Sequence, residues 1–246
     1  MAVHYERTGP VAVVTIDRPE RRNAVDLATA QRLQEAWRRF EDDGDALVGV
    51  LTGAGGTFSA GADLVAFDLV ETAGGYLGGF RGQVGKPTIA AVTGYCVAGG
   101  LEMALWCDLR VAGEDAVFGC FERRWGVPLV DGGTQRLPRI VGLSRALDMI
   151  LTGRPVDAAE AHRIGLVDRL VPAGDHLDAA LALAGEIAAF PQDTVRSDRE
   201  AVYGGLGLPL QEGIAVEAKL GREVLAVAAR GAARFAAGEG RHGTGV

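Results

Sequence analysis

The stretch GYCVAGGLEMALWCDLRVA, residues 94–112, decides how this chain folds. Gly99 to Cys107 reads as a buried helix opened by Ala98-Gly99-Gly100, and Leu109 to Ala112 reads as a buried strand. Glu102 sits inside that helix. An ionised carboxylate moved from water into an apolar interior is costly, so it must be paired, protonated or engaged in chemistry. A helix opened after a strand also leaves its first N–H groups unsatisfied at the positive end of its dipole, where an oxyanion can sit. The same glycines equally suit a tight strand-to-helix turn.

Outward from this stretch, strand and helix patterns alternate. Val11 to Asp17 is a β-branched run ended by Arg18-Pro19-Glu20, and Leu27 to Asp42 carries Ala30, Leu33, Trp37 and Phe40 at helical spacing. Val48 to Thr52 and Thr88 to Thr93 read as further strands, as does Val117 to Gly119. Gly53 to Gly61 reads as a loop leading into a short helix from about Ala62. The glycine-rich segment 72–85 is expected to be mobile around a helix it interrupts. Beyond Gly142 the pattern is helical: Ser144 to Thr152, Asp157 to Ile164 with an Asp157…Glu160 capping box, Asp175 to Phe190 and Leu210 to Ala237. A short strand, Leu166 to Val171, interrupts them. The architecture is expected to be α/β with largely parallel pairing.

Composition narrows the function. At 246 residues and 48% hydrophobic, the chain can fill a sizeable core as one large domain or a domain with an extension. Its 36 glycines follow no G-X-Y period. A net charge of −7 argues against coating nucleic acid or an acidic membrane, so an anionic ligand must be held by local cations. No charged leader with an apolar core and no membrane-length apolar run is present, and a cytoplasmic location is expected. Cys96, Cys107 and Cys120 lack C-x-x-C spacing, and His4, His162, His176 and His242 lack H-x-x-x-H spacing, so neither disulfides nor a metal site are expected.

Two further motifs bear on chemistry. Phe58-Ser59-Ala60-Gly61-Ala62-Asp63 is a small-residue loop that could present the Ala62 N–H to the atom held by the helix at Gly99. Glu122, in FGCFE (118–122), is a second acid among apolar neighbours. Two close carboxylates share a proton and titrate as a unit, letting one accept while the other donates. A salt bridge from Glu122 to Arg123, Arg124 or Arg136 is the plainer alternative. Other motifs fail: Phe58 stands at the third glycine of a dinucleotide fingerprint begun at Gly53-x-Gly55, Thr57 breaks a G-x-S-x-G elbow at Ser59, and no phosphate loop is present.

Taken together, FSAGADL (58–64), residues 86–112, FGCFE (118–122) and GVPLVDGGTQRLPRIVG (126–142) resemble the crotonase, or enoyl-CoA hydratase/isomerase, superfamily. RPERRNAV (18–25) and residues 151–171 follow in family order. The resemblance implies a crotonase-like spiral of ββα units over residues 1–190 and a C-terminal helical trimerisation region over 191–246. The protein would be a homo-trimer or a dimer of trimers that binds an acyl-CoA thioester, with no cofactor and no nucleic-acid or membrane partner.

By position, Ala62 and Gly99 would form the oxyanion hole. Glu102 and Glu122 would be the catalytic pair, Glu122 deprotonating water while Glu102 shares that water and helps deliver a proton to Cα. Arg21, Arg22, Ala60, Asp63, Leu64, Tyr95, Gly100 and Phe235 match substrate- or CoA-binding segments, Phe235 reaching the adenine from a neighbouring subunit. The chain departs from relatives at Ala236-Ala237-Gly238, where a basic residue is usual, and at Cys120-Phe121, where Gln-Pro is usual. Asp131 falls one place beyond the acid of an isomerase branch and is a candidate auxiliary acid. The expected activity is hydration of a 2-enoyl-CoA. An enoyl-CoA isomerase or specialised dehydratase is the alternative on the same scaffold, and a non-catalytic acyl-CoA-binding protein the alternative from another class.

Overall fold

A computed structural model describes residues 2–239. The chain opens with a hairpin, β1 (Val3–Thr8) antiparallel to β2 (Val11–Ile16), and α1 (Leu27–Asp42) follows. Next come β3 (Val48–Gly53), β4 (Thr88–Val92), β5 (Tyr95–Val97), α2 (Gly99–Trp106), β6 (Leu109–Gly113) and β7 (Val117–Gly119). The helical half holds α3 (Gly133–Val141), α4 (Leu143–Thr152), β8 (Val156–Asp157), α5 (Ala158–Arg163), β9 (Arg169–Val171), α6 (His176–Ala189), α7 (Gln192–Gly205), α8 (Leu210–Glu223) and α9 (Leu225–Ala236).

The strands form two sheets. The larger has the order β1-β2-β3-β4-β6-β9 and is parallel from β2 onward; the smaller is β5-β7-β8. Every residue of β3 and β4 is buried because both faces of the large sheet are covered, which gives such strands their unbroken apolar runs. Val48, Val50, Ile89, Ala91 and Val111 pack with Ala180, Leu183 and Ala184 of α6. Val14, Ile16, Leu51, Ala90, Val92 and Ala112 belong to the larger core with α1, α2 and the small sheet. Chain passing from β4 straight into β5 therefore crosses between sheets, and α2 starts where that crossing ends.

Several local expectations differ from what forms. No helix begins at Ala62: Asp63 Oδ1 accepts the N–H of Val65 and Ala66, a local turn, while its other oxygen pairs with Arg18 at 3.0 Å. Segment 72–85 holds no helix either, and its middle, 75–80, packs into the core while both ends stay at the surface. Leu77 and Phe80 are buried, Phe80 stacks edge-on to Trp106 at 5.1 Å, and Trp106 Nε1 donates to Gly82 O at 2.6 Å. The strand expected over 166–171 is confined to Arg169–Val171, and the long C-terminal helix breaks at Val224 into α8 and α9. Asp157 does cap α5, accepting the Glu160 N–H at 2.7 Å.

Helix α7 docks through charge. Asp108, just past α2, accepts from Arg199 Nε at 2.8 Å, from Tyr203 Oη at 2.6 Å and from the Thr88 N–H at 2.8 Å. Helices α8 and α9 bury none of their residues and expose Leu210, Ile214, Leu225 and Phe235.

Candidate active site

Asn23 is the first organiser. Fully buried at φ +53°, it donates to Ala54 O at 2.8 Å and Thr57 O at 2.6 Å and accepts the Arg18 N–H at 2.8 Å. Its own carbonyl receives the Ser59 hydroxyl at 2.8 Å, and Ser59 Oγ in turn accepts the Gly61 N–H at 3.1 Å. Loop 58–62 is thus held from both sides. Val25 binds Gly61 O and the Asp63 N–H, so the Ala62 N–H is turned the other way.

Ala98 is the second organiser. It precedes α2 at φ +54°, ψ −128°, a conformation that costs a non-glycine residue about 1–3 kcal/mol. Its N–H donates to Gly119 O at 2.9 Å and its carbonyl receives the Glu102 N–H at 3.2 Å, while Gly99, as the first residue of α2, has no intrahelical acceptor for its N–H. Gly61 abuts this turn so closely that a Cβ there would stand 2.5 Å from Gly99 N, so the free amides of Ala62 and Gly99 are neighbours. Neither has a hydrogen-bond partner among the described residues.

Glu102, one turn along α2, is 2% exposed. Its Oε1 accepts the N–H of Asp131 at 2.9 Å and of Gly133 at 2.8 Å, the latter being the first residue of α3. The carboxylate therefore sits on a helix N-terminus, which favours its charged form. Burial raises its pKa and these two amides work against the rise. A Cβ on Gly133 would lie 2.9 Å from Glu102 Cγ and 3.0 Å from its Oε1, so a side chain there would displace the carboxylate.

Glu122 lies in a short 3-10 helix, Phe121–Trp125, and is 5% exposed. Both carboxylate oxygens are buried without a hydrogen-bond partner. Burial drives its pKa to about 7, the charge of Glu102 adds to the rise, and its own amide and the charge of Arg123 pull the other way. No arginine claims it: Arg123 donates to Ile150 O, Arg124 to Gly153 O while stacking 3.8 Å from the Phe121 ring, and Arg136 to Asp131 O. An orphaned buried acid of this kind is unusual outside a functional site.

Ala62, Gly99, Glu102 and Glu122 open onto one cavity of about 660 Å³. Its other walls are Leu69, Tyr76, Leu77, Val127, Pro128, Leu129 and Val130, with Arg21, Arg22, Ala60, Asp63 and Leu64 also lining it.

A profile of the enoyl-CoA hydratase/isomerase family matches residues 6–241. The chain belongs to the enoyl-CoA hydratase/isomerase family. It is 41% identical over 229 residues to a protein of Rhizobium meliloti described as a "probable enoyl-CoA hydratase", covering 90% of this chain and 88% of that one. Among solved structures, an enoyl-CoA hydratase of Mycobacterium marinum superposes with a TM-score of 0.92 at 38% identity, covering 96% of this chain and 95% of that one. An enoyl-CoA hydratase of Mycobacterium tuberculosis superposes with a TM-score of 0.90 at 37% identity over the same shares. The fold is the crotonase spiral of this family.

Other residues singled out from the sequence take different places relative to the cavity shared by Ala62, Gly99, Glu102 and Glu122. Gly100 does not line the cavity; it lets α2 press on the small-residue loop, where a Cβ would meet Ser59 O at 2.1 Å. Tyr95 stands outside the lining and supports Arg22, whose guanidinium lies 5.4 Å from its ring. Asp131 is fully buried and its carboxylate is spent on Tyr76, Leu77 and Arg81, not turned to the cavity wall. Phe235 is 61% exposed on α9, away from this chain's own cavity. Trp125 lines the cavity, whereas Trp106 is in the core. His242 lies outside the described residues. Sequence reasoning missed Asn23 and Ala98 as organisers, because a positive φ at a non-glycine residue leaves no mark in composition. No helix among the described residues is long and apolar enough to cross a membrane.

Proposed function

We propose that this family member is an enoyl-CoA hydratase that adds water across the 2,3 double bond of a 2-enoyl-CoA thioester. The observation that carries the reading is the orphaned Glu122 carboxyl sharing one cavity with Glu102 and two unpartnered amides. The amides of Ala62 and Gly99 receive the thioester oxygen. They stabilise the enolate that forms when oxygen adds at Cβ, each donor contributing on the order of 3 kcal/mol.

The two environments divide the acid–base work. Glu102, held by two amide donors, carries the negative charge and takes a proton from the attacking water; Glu122, held protonated toward neutrality, delivers one to Cα. This reverses the roles expected from position alone. Atoms balance: hydroxide joins Cβ, a proton joins Cα, and the proton left on Glu102 returns to Glu122 through the next water. The chemistry uses only these groups and water. A non-catalytic acyl-CoA carrier would have no use for an unpaired acid at this depth.

Arg21 and Arg22 supply the local cations that an acidic chain needs to hold the phosphates of CoA. The uncovered apolar residues of α8 and α9 support association into trimers, with Phe235 serving a neighbour's site. The three buried, unpaired cysteines suit a reducing, cytoplasmic setting. Hydration of crotonyl-CoA, followed by loss of absorbance of the conjugated thioester, tests the reading. Glu102→Gln and Glu122→Gln are each expected to reduce kcat by about 10²–10⁴-fold. Turnover undiminished in either variant would refute the assignment.

A further inference from the structure

The catalytic account leaves one fully buried acid unused. Asp131 follows directly on Leu129 and Val130, which line the cavity, and its carboxylate reaches a second lining segment. It accepts the N–H of Tyr76 at 3.0 Å and of Leu77 at 2.6 Å, and Arg81 Nε lies 3.3 Å away. Gly75 makes room for it: at φ +101°, a Cβ there would sit 2.3 Å from Asp131 Oδ1.

Arg81 ties the same two segments again. It donates to Val130 O at 3.0 Å and pairs with Glu71, which also receives the Tyr76 hydroxyl at 3.2 Å. The backbone of Asp131 faces the other way, giving its N–H to Glu102. Leu77, held by the carboxylate, in turn packs on the oxyanion turn, where a Cβ on Gly99 would meet its Cδ1 at 2.7 Å.

We propose that Asp131 is a positioning residue, a latch that closes the seam between the walls 76–77 and 129–130 and so restricts the cavity to short acyl chains. This rests on the hydratase reading. A short acyl group needs the firm wall to press its double bond toward the two glutamates. A long one needs the seam to part. Asp131 does not touch substrate in this account, and a donor-bearing amide at its place would oppose the Leu77 N–H.

The test compares wild type, Asp131→Asn and Arg81→Met by two measurements. Hydrogen–deuterium exchange reads the latch without any substrate: peptides spanning Tyr76 and Leu77 are expected to exchange at least tenfold faster in both variants, with α6 unchanged. Steady-state kinetics with crotonyl-CoA and 2-dodecenoyl-CoA read its consequence. For Asp131→Asn, kcat/KM is expected to fall about tenfold or more for the four-carbon substrate and to rise for the twelve-carbon one. Arg81→Met shifts the ratio the same way, less far, and decides the matter should Asp131→Asn fail to fold.

Unchanged exchange at 76–77 overturns the latch. Equal losses at both chain lengths overturn the length restriction, and loss of a limb of the pH–kcat profile in Asp131→Asn with intact KM would make the residue a proton carrier instead. A wild type that hydrates neither thioester refutes the hydratase reading, and with it the length restriction, while the exchange experiment still decides the latch.

Discussion

Gly61 and Gly99 stand so close that a β-carbon on the first would lie 2.5 Å from the backbone nitrogen of the second. This approach, made at φ +86° by Gly61, sets the amide of Ala62 beside that of Gly99. Gly61→Ala is expected to push the two loops apart. One misplaced donor costs about 10²–10³-fold in kcat, and the strained φ adds a loss of stability of about 1–3 kcal/mol. Crotonyl-CoA kinetics beside a thermal melt check both; a variant with wild-type kcat would show that the approach is not needed.

Glu122 is destabilising when charged. Folded, it holds its proton up to about pH 7, whereas an ordinary glutamate releases it near 4.5. The native state therefore binds more protons between these values, and stability falls as pH rises through that window. The penalty is absent below about 4.5 and complete above about 7, where it reaches about 3 kcal/mol. Glu122→Gln is expected to be slowed by about 10²–10⁴-fold yet more stable, raising Tm at pH 8 by several degrees and leaving it nearly unchanged at pH 4.5. An equal shift at both pH values would contradict the buried, unpaired state of the acid.

The anchor of α7 is separable from chemistry. Tyr203→Phe removes the 2.6 Å hydrogen bond to Asp108 while Arg199 keeps its own, so a loss of about 1–2 kcal/mol is expected with kcat unchanged. Urea unfolding and steady-state assays on one preparation measure both.

Much of this was legible in the residues because burial writes itself as hydrophobicity. The runs at Val48 and Thr88 are strands with both faces covered, and Glu102 stood out as a charge where none is cheap. Helix α7 escaped because QDTVRSDREAVYGG has no apolar stripe: only Ser197 is buried and Asp108 supplies the hold. Helix α3 escaped because Pro138 interrupts it and Gly132-Gly133 open it, residues that read as loop. The supposed helix at Ala62 was a local competition, lost when Asp63 bonded Val65, Ala66 and Arg18 instead. Asp131 reads in sequence as a candidate auxiliary acid, and nothing there announces the Tyr76 and Leu77 amides, 55 and 54 residues away, that its carboxylate accepts from.

The central claim is that two carboxylates with separated protonation states act on one thioester held by the Ala62 and Gly99 amides. The pH dependence of kcat/KM for crotonyl-CoA hydration tests it most directly, because it reports the free enzyme's essential acid. With Glu122 as proton donor, kcat/KM is expected to fall with unit slope above about pH 7. A profile that instead rises through pH 7 and stays high would contradict this account, making Glu122 the base.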